Sequence, residues 1–155
     1  MNPLWALAVV IPGVAFLVWS ALFKGDHHPH PEILVIDDNR CVLDIIRLGL
    51  EHEGYKTDCI AEAAKGVQFF REHHGELSAV LLDYSMPDVR GDKIFEQLRA
   101  INARVPVILI TGYGNDGEEF QRLSAGMAGV LLKPFTVQRL VEVTGKVVVE
   151  TAGHA

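Results

Sequence analysis

Five times in succession from residue 32 onward, a short apolar run is followed by a stretch of helical length, and few folds accommodate that alternation. The runs ILVI (33–36), AVLL (79–82), VPVILI (105–110) and GVLL (129–132) are rich in Val, Ile and Leu and too short for helices. They read as strands buried on both faces, with YKTDCI (55–60) as a weaker fifth. The stretch 40–52 carries Val42, Leu43, Ile46, Leu48 and Leu50 and ends before Gly54. The stretch 61–74 carries Val67, Phe69 and Phe70, and 91–101 carries Ile94, Phe95 and Leu98. A more polar stretch over 115–124 and a final one over 136–150 complete the set, the last with Thr136 as its N-cap and Gly145 weakening its middle. Five such units predict an α/β fold: a five-stranded parallel sheet with helices on both faces, joined by right-handed crossovers.

In sheets of this kind ligands sit outside the carboxyl ends of the strands. Those ends carry Asp37-Asp38 after the first strand, Asp83 after the third, Thr111 after the fourth and Lys133-Pro134 after the fifth. Singly, each is an ordinary turn or capping residue. Jointly, three carboxylates repel one another unless a hard cation and an ammonium stand among them, and few carboxylates with waters retained suit Mg²⁺. A hydroxyl from Thr111 and the Lys133 ammonium are the groups wanted around a phosphoryl oxygen. An aspartate beside a metal can itself be the nucleophile, so the set reads as a phosphoryl-transfer site with a built-in acceptor.

The blocks VIDDNR (35–40), LLDYSMPDVRG (81–91), ITG (110–112) and LLKPF (131–135) resemble, in order and spacing, the signature of response-regulator receiver domains of two-component signalling. The second half is also similar to receivers appended to hybrid histidine kinases. The resemblance covers residues 32–150 and implies a flavodoxin-like receiver fold. It implies that Asp83 accepts a phosphoryl group from a phosphohistidine. Asp38, Asp83 and the backbone carbonyl of Ser85 would hold Mg²⁺, with Asp37 contributing through water. Thr111 would hydrogen-bond the phosphoryl group and Lys133 would pair with it. The peptide before Pro134 is expected to be cis, Met86, Pro87 and Gly91 to shape the loop beyond Asp83, and Ser85 and Tyr113 to tune phosphoryl lifetime. The sequence departs from the family at Val130, where a switch aromatic is expected, which puts the usual surface change in doubt.

Upstream, residues 3–23 contain no charged side chain, with Trp5 and Trp19 towards the two ends. A helix of that length spans about 31 Å, close to the hydrocarbon thickness of a bilayer. The favoured reading of 1–23 is a transmembrane anchor formed by one apolar helix, with Pro12 tolerated within it. A cleaved signal peptide, a core helix and a misassigned start codon are the competing readings. Lys24 on the carboxyl flank places the following domain in the cytoplasm of a bacterium, with the anchor in the inner membrane. Residues 24–31 (KGDHHPHP) form a His/Pro linker, the receiver occupies 32–150, and 151–155 is a tail.

A net charge of −6 without a basic stripe argues against a nucleic-acid partner. Cys41 and Cys59, with no CxxC, read as free thiols. No output domain is expected after the last helix. The expected partners are a histidine kinase or histidine phosphotransfer protein and an unidentified downstream protein. The expected role is that of a phosphoacceptor, not an enzyme with an external substrate. Two alternatives remain: a degenerate receiver that only binds, and a phosphatase resembling the haloacid dehalogenase class. Against the latter, Ser85 stands where that class needs a second aspartate, and the acidic pair precedes Asp83 instead of following it.

Overall fold

A computed structural model of the chain describes residues 31–112, 121 and 124–152. The strands are β1 (Glu32–Ile36), β2 (Lys56–Ile60), β3 (Leu77–Asp83), β4 (Val107–Thr111) and β5 (Gly129–Leu132). The helices are α1 (Arg40–His52), α2 (Ala63–His73), α3 (Gly91–Ile101) and α4 (Val137–Ala152). All strand pairs are parallel, in the order β2-β1-β3-β4-β5. The expected apolar N-terminal helix, the linker as far as His30, and Tyr113 lie outside the described residues, as do all but two positions of 115–124. Among the described residues no helix is long and apolar enough to cross a membrane.

The period-two geometry of a strand divides β1 between two cores. Ile33 and Val35 join Ala79, Leu81, Ile108, Ile110 and Leu131 beneath α1 and α4, which contribute Leu43, Ile46, Leu50, Leu140 and Val147. Leu34 and Ile36 point to the other face, with Val80, Leu82 and Val107, beneath α2 and α3, which contribute Val67, Phe70, Ile94 and Leu98. Burial on both faces explains why these strands are continuous apolar runs without polar alternation.

Each junction has a local cause. Asn39 caps α1, its side-chain oxygen accepting the backbone N–H groups of Cys41 at 3.0 Å and Val42 at 3.4 Å. Helix α1 stops at Gly54, whose φ of 87° is a conformation that a side chain makes costly. Strand β4 begins at Val107, two residues later than the apolar run, because Pro106 has no N–H to give to the ladder. Thr136 caps α4 as its sequence predicts, its hydroxyl accepting the Arg139 N–H at 3.2 Å.

Candidate phosphoryl-transfer site

The ladder carries the strand ends to one side of the sheet. The Asp37 N–H continues the β1–β2 pairing by donating to the Ile60 carbonyl at 3.3 Å, and Tyr84 donates to the Ile110 carbonyl at 2.8 Å. The Lys133 N–H donates to the Thr111 carbonyl at 2.8 Å, which ties the ends of β4 and β5 together. Beyond Ile36 the chain turns back on itself: an Asp37 carboxylate oxygen accepts the Asn39 N–H at 2.9 Å. Asn39 caps the helix, and Asp37 is thereby held over the strand ends.

Asp37, Asp38 and Asp83 each bring one carboxylate oxygen within 4.8 Å of the others. Asp37 and Asp83 are buried, while Asp38 is exposed at the mouth. The Lys133 ammonium reaches both buried carboxylates, 2.8 Å from Asp37 and 3.1 Å from Asp83. Thr111 is buried at the end of β4. Ser85 is exposed, and its backbone favours the ionised Asp83 carboxyl. The Lys133–Pro134 peptide is cis, as expected.

Burial pushes the Asp83 carboxyl above its ordinary value; the Lys133 hydrogen bond opposes this, and the Asp37 charge adds to it. Burial alone would lower the Lys133 value, but its bonds to Asp37 and Asp83 prevail and hold the ammonium above its usual range. Two of the three carboxylates thus share one ammonium, and the deficit of positive charge suits a hard cation bound by oxygen. The donor set consists of carboxylates with an open, solvent-facing side at Asp38, which fits Mg²⁺ with retained waters.

The loop that follows Asp83 depends on Gly91. A β-carbon there would lie 2.7 Å from the Tyr84 Cα and 2.9 Å from the Asp83 carbonyl oxygen, so the helix starts against bare backbone. Met86 is buried beneath this loop, in the core under α2 and α3. Two features escaped the sequence reading. Asn39 was legible, since an Asn immediately before an apolar-periodic stretch is an N-cap signal. The stacking of Arg90 on the Tyr84 ring, with its guanidinium 5.4 Å from the ring centroid and bonded to the Tyr84 hydroxyl, has no such signal. Val130 is half-buried on β5, in the wall of an open cavity of about 630 Å³ that Leu132, Phe135 and Arg139 also line.

Sheet order, strand-end carboxylates and a bridging lysine together define the receiver class, and the family profile for the response regulator receiver domain matches residues 33–144. The chain belongs to that family. It is similar to chemotaxis protein CheY1 of Helicobacter pylori, 31% identical over 72% of this chain and 91% of that protein. It is 29% identical to the regulatory protein AtoC of Escherichia coli, over 70% of this chain but only 23% of AtoC. Among solved structures, a CheY-like receiver from Methanospirillum hungatei has a TM-score of 0.73 at 26% identity, covering 81% of this chain and 99% of that one. The receiver of sensor histidine kinase PA1611 from Pseudomonas aeruginosa, which holds a magnesium ion in its active-site cleft, has a TM-score of 0.69 at 27% identity. That likeness covers 77% of this chain and 98% of the other.

Proposed function

We propose that this receiver takes a phosphoryl group onto Asp83 from a phosphohistidine of a histidine kinase or histidine phosphotransfer protein. The observation that carries the reading is the convergence of Asp37, Asp38 and Asp83 within 4.8 Å, with Lys133 bridging the two buried members. An Asp83 carboxylate oxygen attacks phosphorus, the P–N bond breaks, and the leaving imidazole takes up a proton. Lys133 stays paired to the aspartyl phosphate, and the Thr111 hydroxyl donates to one of its oxygens. Asp38, Asp83 and the Ser85 carbonyl, with Asp37 contributing through water, would hold Mg²⁺, which would supply positive charge to offset the acceptor and the incoming phosphoryl group. The reading includes signalling by docking or relay. It also includes the anchor: the uncharged 3–23 segment would hold the domain at the cytoplasmic side of a bacterial inner membrane.

A second reading, a module that binds partners without switching, is favoured by one feature, the missing ring at Val130. Intact mass of the full chain in mild detergent, after incubation with Mg²⁺ and acetyl phosphate, separates the two. The expected result is one added phosphoryl group, absent in Asp83→Asn and abolished by chelation. If folded protein takes no phosphoryl group from acetyl phosphate or from a phosphorylated histidine phosphotransfer protein, the binding-only reading stands instead.

A further inference from the structure

At the end of the sheet remote from Asp83, β1 opens on a charged residue. The Glu32 side chain is only 9% exposed, and Lys56, its register partner on β2, donates to it at 2.8 Å. The Lys56 backbone N–H also bonds the Pro31 carbonyl at 3.0 Å, so this seam fixes the point at which residues 24–31 join the domain. Two residues further along β2, on the same face, half-buried Asp58 lies opposite Leu34 and diagonally across the seam from Glu32. One Asp58 carboxylate oxygen, Oδ2, is buried without a hydrogen-bond partner among the described residues. A lone acceptor sealed beside a second carboxylate is unfavourable, because both can only accept. One proton resolves it by converting Asp58 into an O–H donor to Glu32, which Lys56 keeps ionised.

We propose that Glu32 and Asp58 form a proton-sharing carboxyl pair that holds the β1–β2 seam most firmly at mildly acidic pH, beside Pro31 where the described residues begin. Electrostatics agree. Burial, then the hydrogen bond and charge of Glu32, hold the Asp58 carboxyl above its ordinary value. For Glu32, burial is outweighed by the bonds from Lys56 and Asp58, which bring it below the usual range. The other charged groups facing the pair are His73, in the last turn of α2, and Glu76, which acts on Lys56. The His73 charge acts on both carboxyls in the lowering direction.

The signs define a window. A raised Asp58 contributes stability that is full below its unfolded value and is lost as pH rises through its folded one. A lowered Glu32 contributes above its unfolded value and loses that contribution as pH falls through its folded one. The seam is therefore firmest at mildly acidic pH and weakens on both sides. Side-chain carboxyl NMR titration of the full-length chain tests this directly. Asp58 is expected to titrate above Glu32, each curve inflecting at the midpoint of the other. Asp58→Asn should leave Glu32 with a single low transition and raise the melting temperature at neutral pH. Independent titration at ordinary values, or Asp58 titrating below Glu32, overturns the pair, and the wild-type titration decides the matter even if the variant does not fold.

Discussion

Each end of the sheet holds a carboxyl that the fold disfavours in its ionised form, buried at Asp83 and half-buried at Asp58, and the two ends differ in what offsets it. At the carboxyl ends of the strands, Asp83 stands with Asp37 and Asp38 around a single lysine, and its own ionisation is held back by burial. That site is open at Asp38 and short of positive charge, so its donor set suits a divalent cation. At the opposite end Asp58 has Glu32 and Lys56 for company, and no group of three metal-binding side chains forms there among the described residues. A proton suffices at that end. The comparison teaches that carboxylates alone do not make a metal site; the number that converge and their access to solvent decide between a cation and a proton.

The strongest way to break the comparison is to remove the ammonium from the metal end. Lys133→Met leaves Asp37 and Asp83 buried without their partner, a change that typically costs about 3 kcal/mol or more. Denaturant unfolding in Mg²⁺-free buffer should show that loss, and millimolar Mg²⁺ should restore most of it. A variant equally unstable with and without Mg²⁺ would mean that the three carboxylates do not form a cation site. Next in size, Gly91→Ala drives a methyl group into the Tyr84 backbone, and overpacking of this kind costs about 2 kcal/mol. Because the displaced loop is the one that follows Asp83, phosphoryl uptake should slow as well; unchanged uptake would show that the loop position is not critical.

Much of this was legible in the sequence because parallel strands buried on both faces must be apolar throughout, and because chemistry in such sheets falls at strand ends. The four clear runs each lie on or overlap a strand, and Asp37, Asp83, Thr111 and Lys133 stand at the ends where the alternation put them. The misjudged boundaries have backbone causes, such as the missing N–H of Pro106 and the extension of β1 to a charged residue that Lys56 pairs. The Glu32–Asp58 contact was not legible. It depends on register, Glu32 lying opposite Lys56 and Leu34 opposite Asp58, and nothing local in either strand specifies that pairing. The Arg90–Tyr84 stack escaped for a similar reason, since the path of the loop between them is set by Gly91 and not by either residue.

A smaller effect sharpens the same contrast at the metal end. Since the folded state raises the Asp83 value, its ionised form costs stability at neutral pH, and the contribution is favourable only at lower pH. Asp83→Asn removes that cost and one of three like charges, so the apo protein should gain about 1 kcal/mol, within the usual range for a stabilising substitution. Thermal unfolding with and without Mg²⁺ checks it. The wild type should be stabilised by Mg²⁺ and the variant much less so, whereas Asp58→Asn should leave the Mg²⁺ response intact.

The effect that is smallest near neutrality, emerging only at alkaline pH, belongs to Tyr55. Tyr55 lies directly before β2 and packs against the core beneath α1 and α4, its hydroxyl near Gly145 of α4. Burial, with the Glu53 charge adding to it, pushes its phenol up to about 12. A raised acid contributes stability that is complete below its unfolded value, about 10 for a tyrosine, and is lost as pH rises through the folded one. Stability should therefore fall between about 10 and about 12 as the phenolate seeks water. Ultraviolet difference titration against Tyr55→Phe isolates the group, and the variant should lack the high-pH ionisation while matching wild-type stability near neutrality. Mg²⁺ should not move that transition, because the phenol responds to the core beneath α4 and not to the cleft around Asp83. A Tyr55 midpoint near the ordinary phenol value would show that water reaches the core beneath α4.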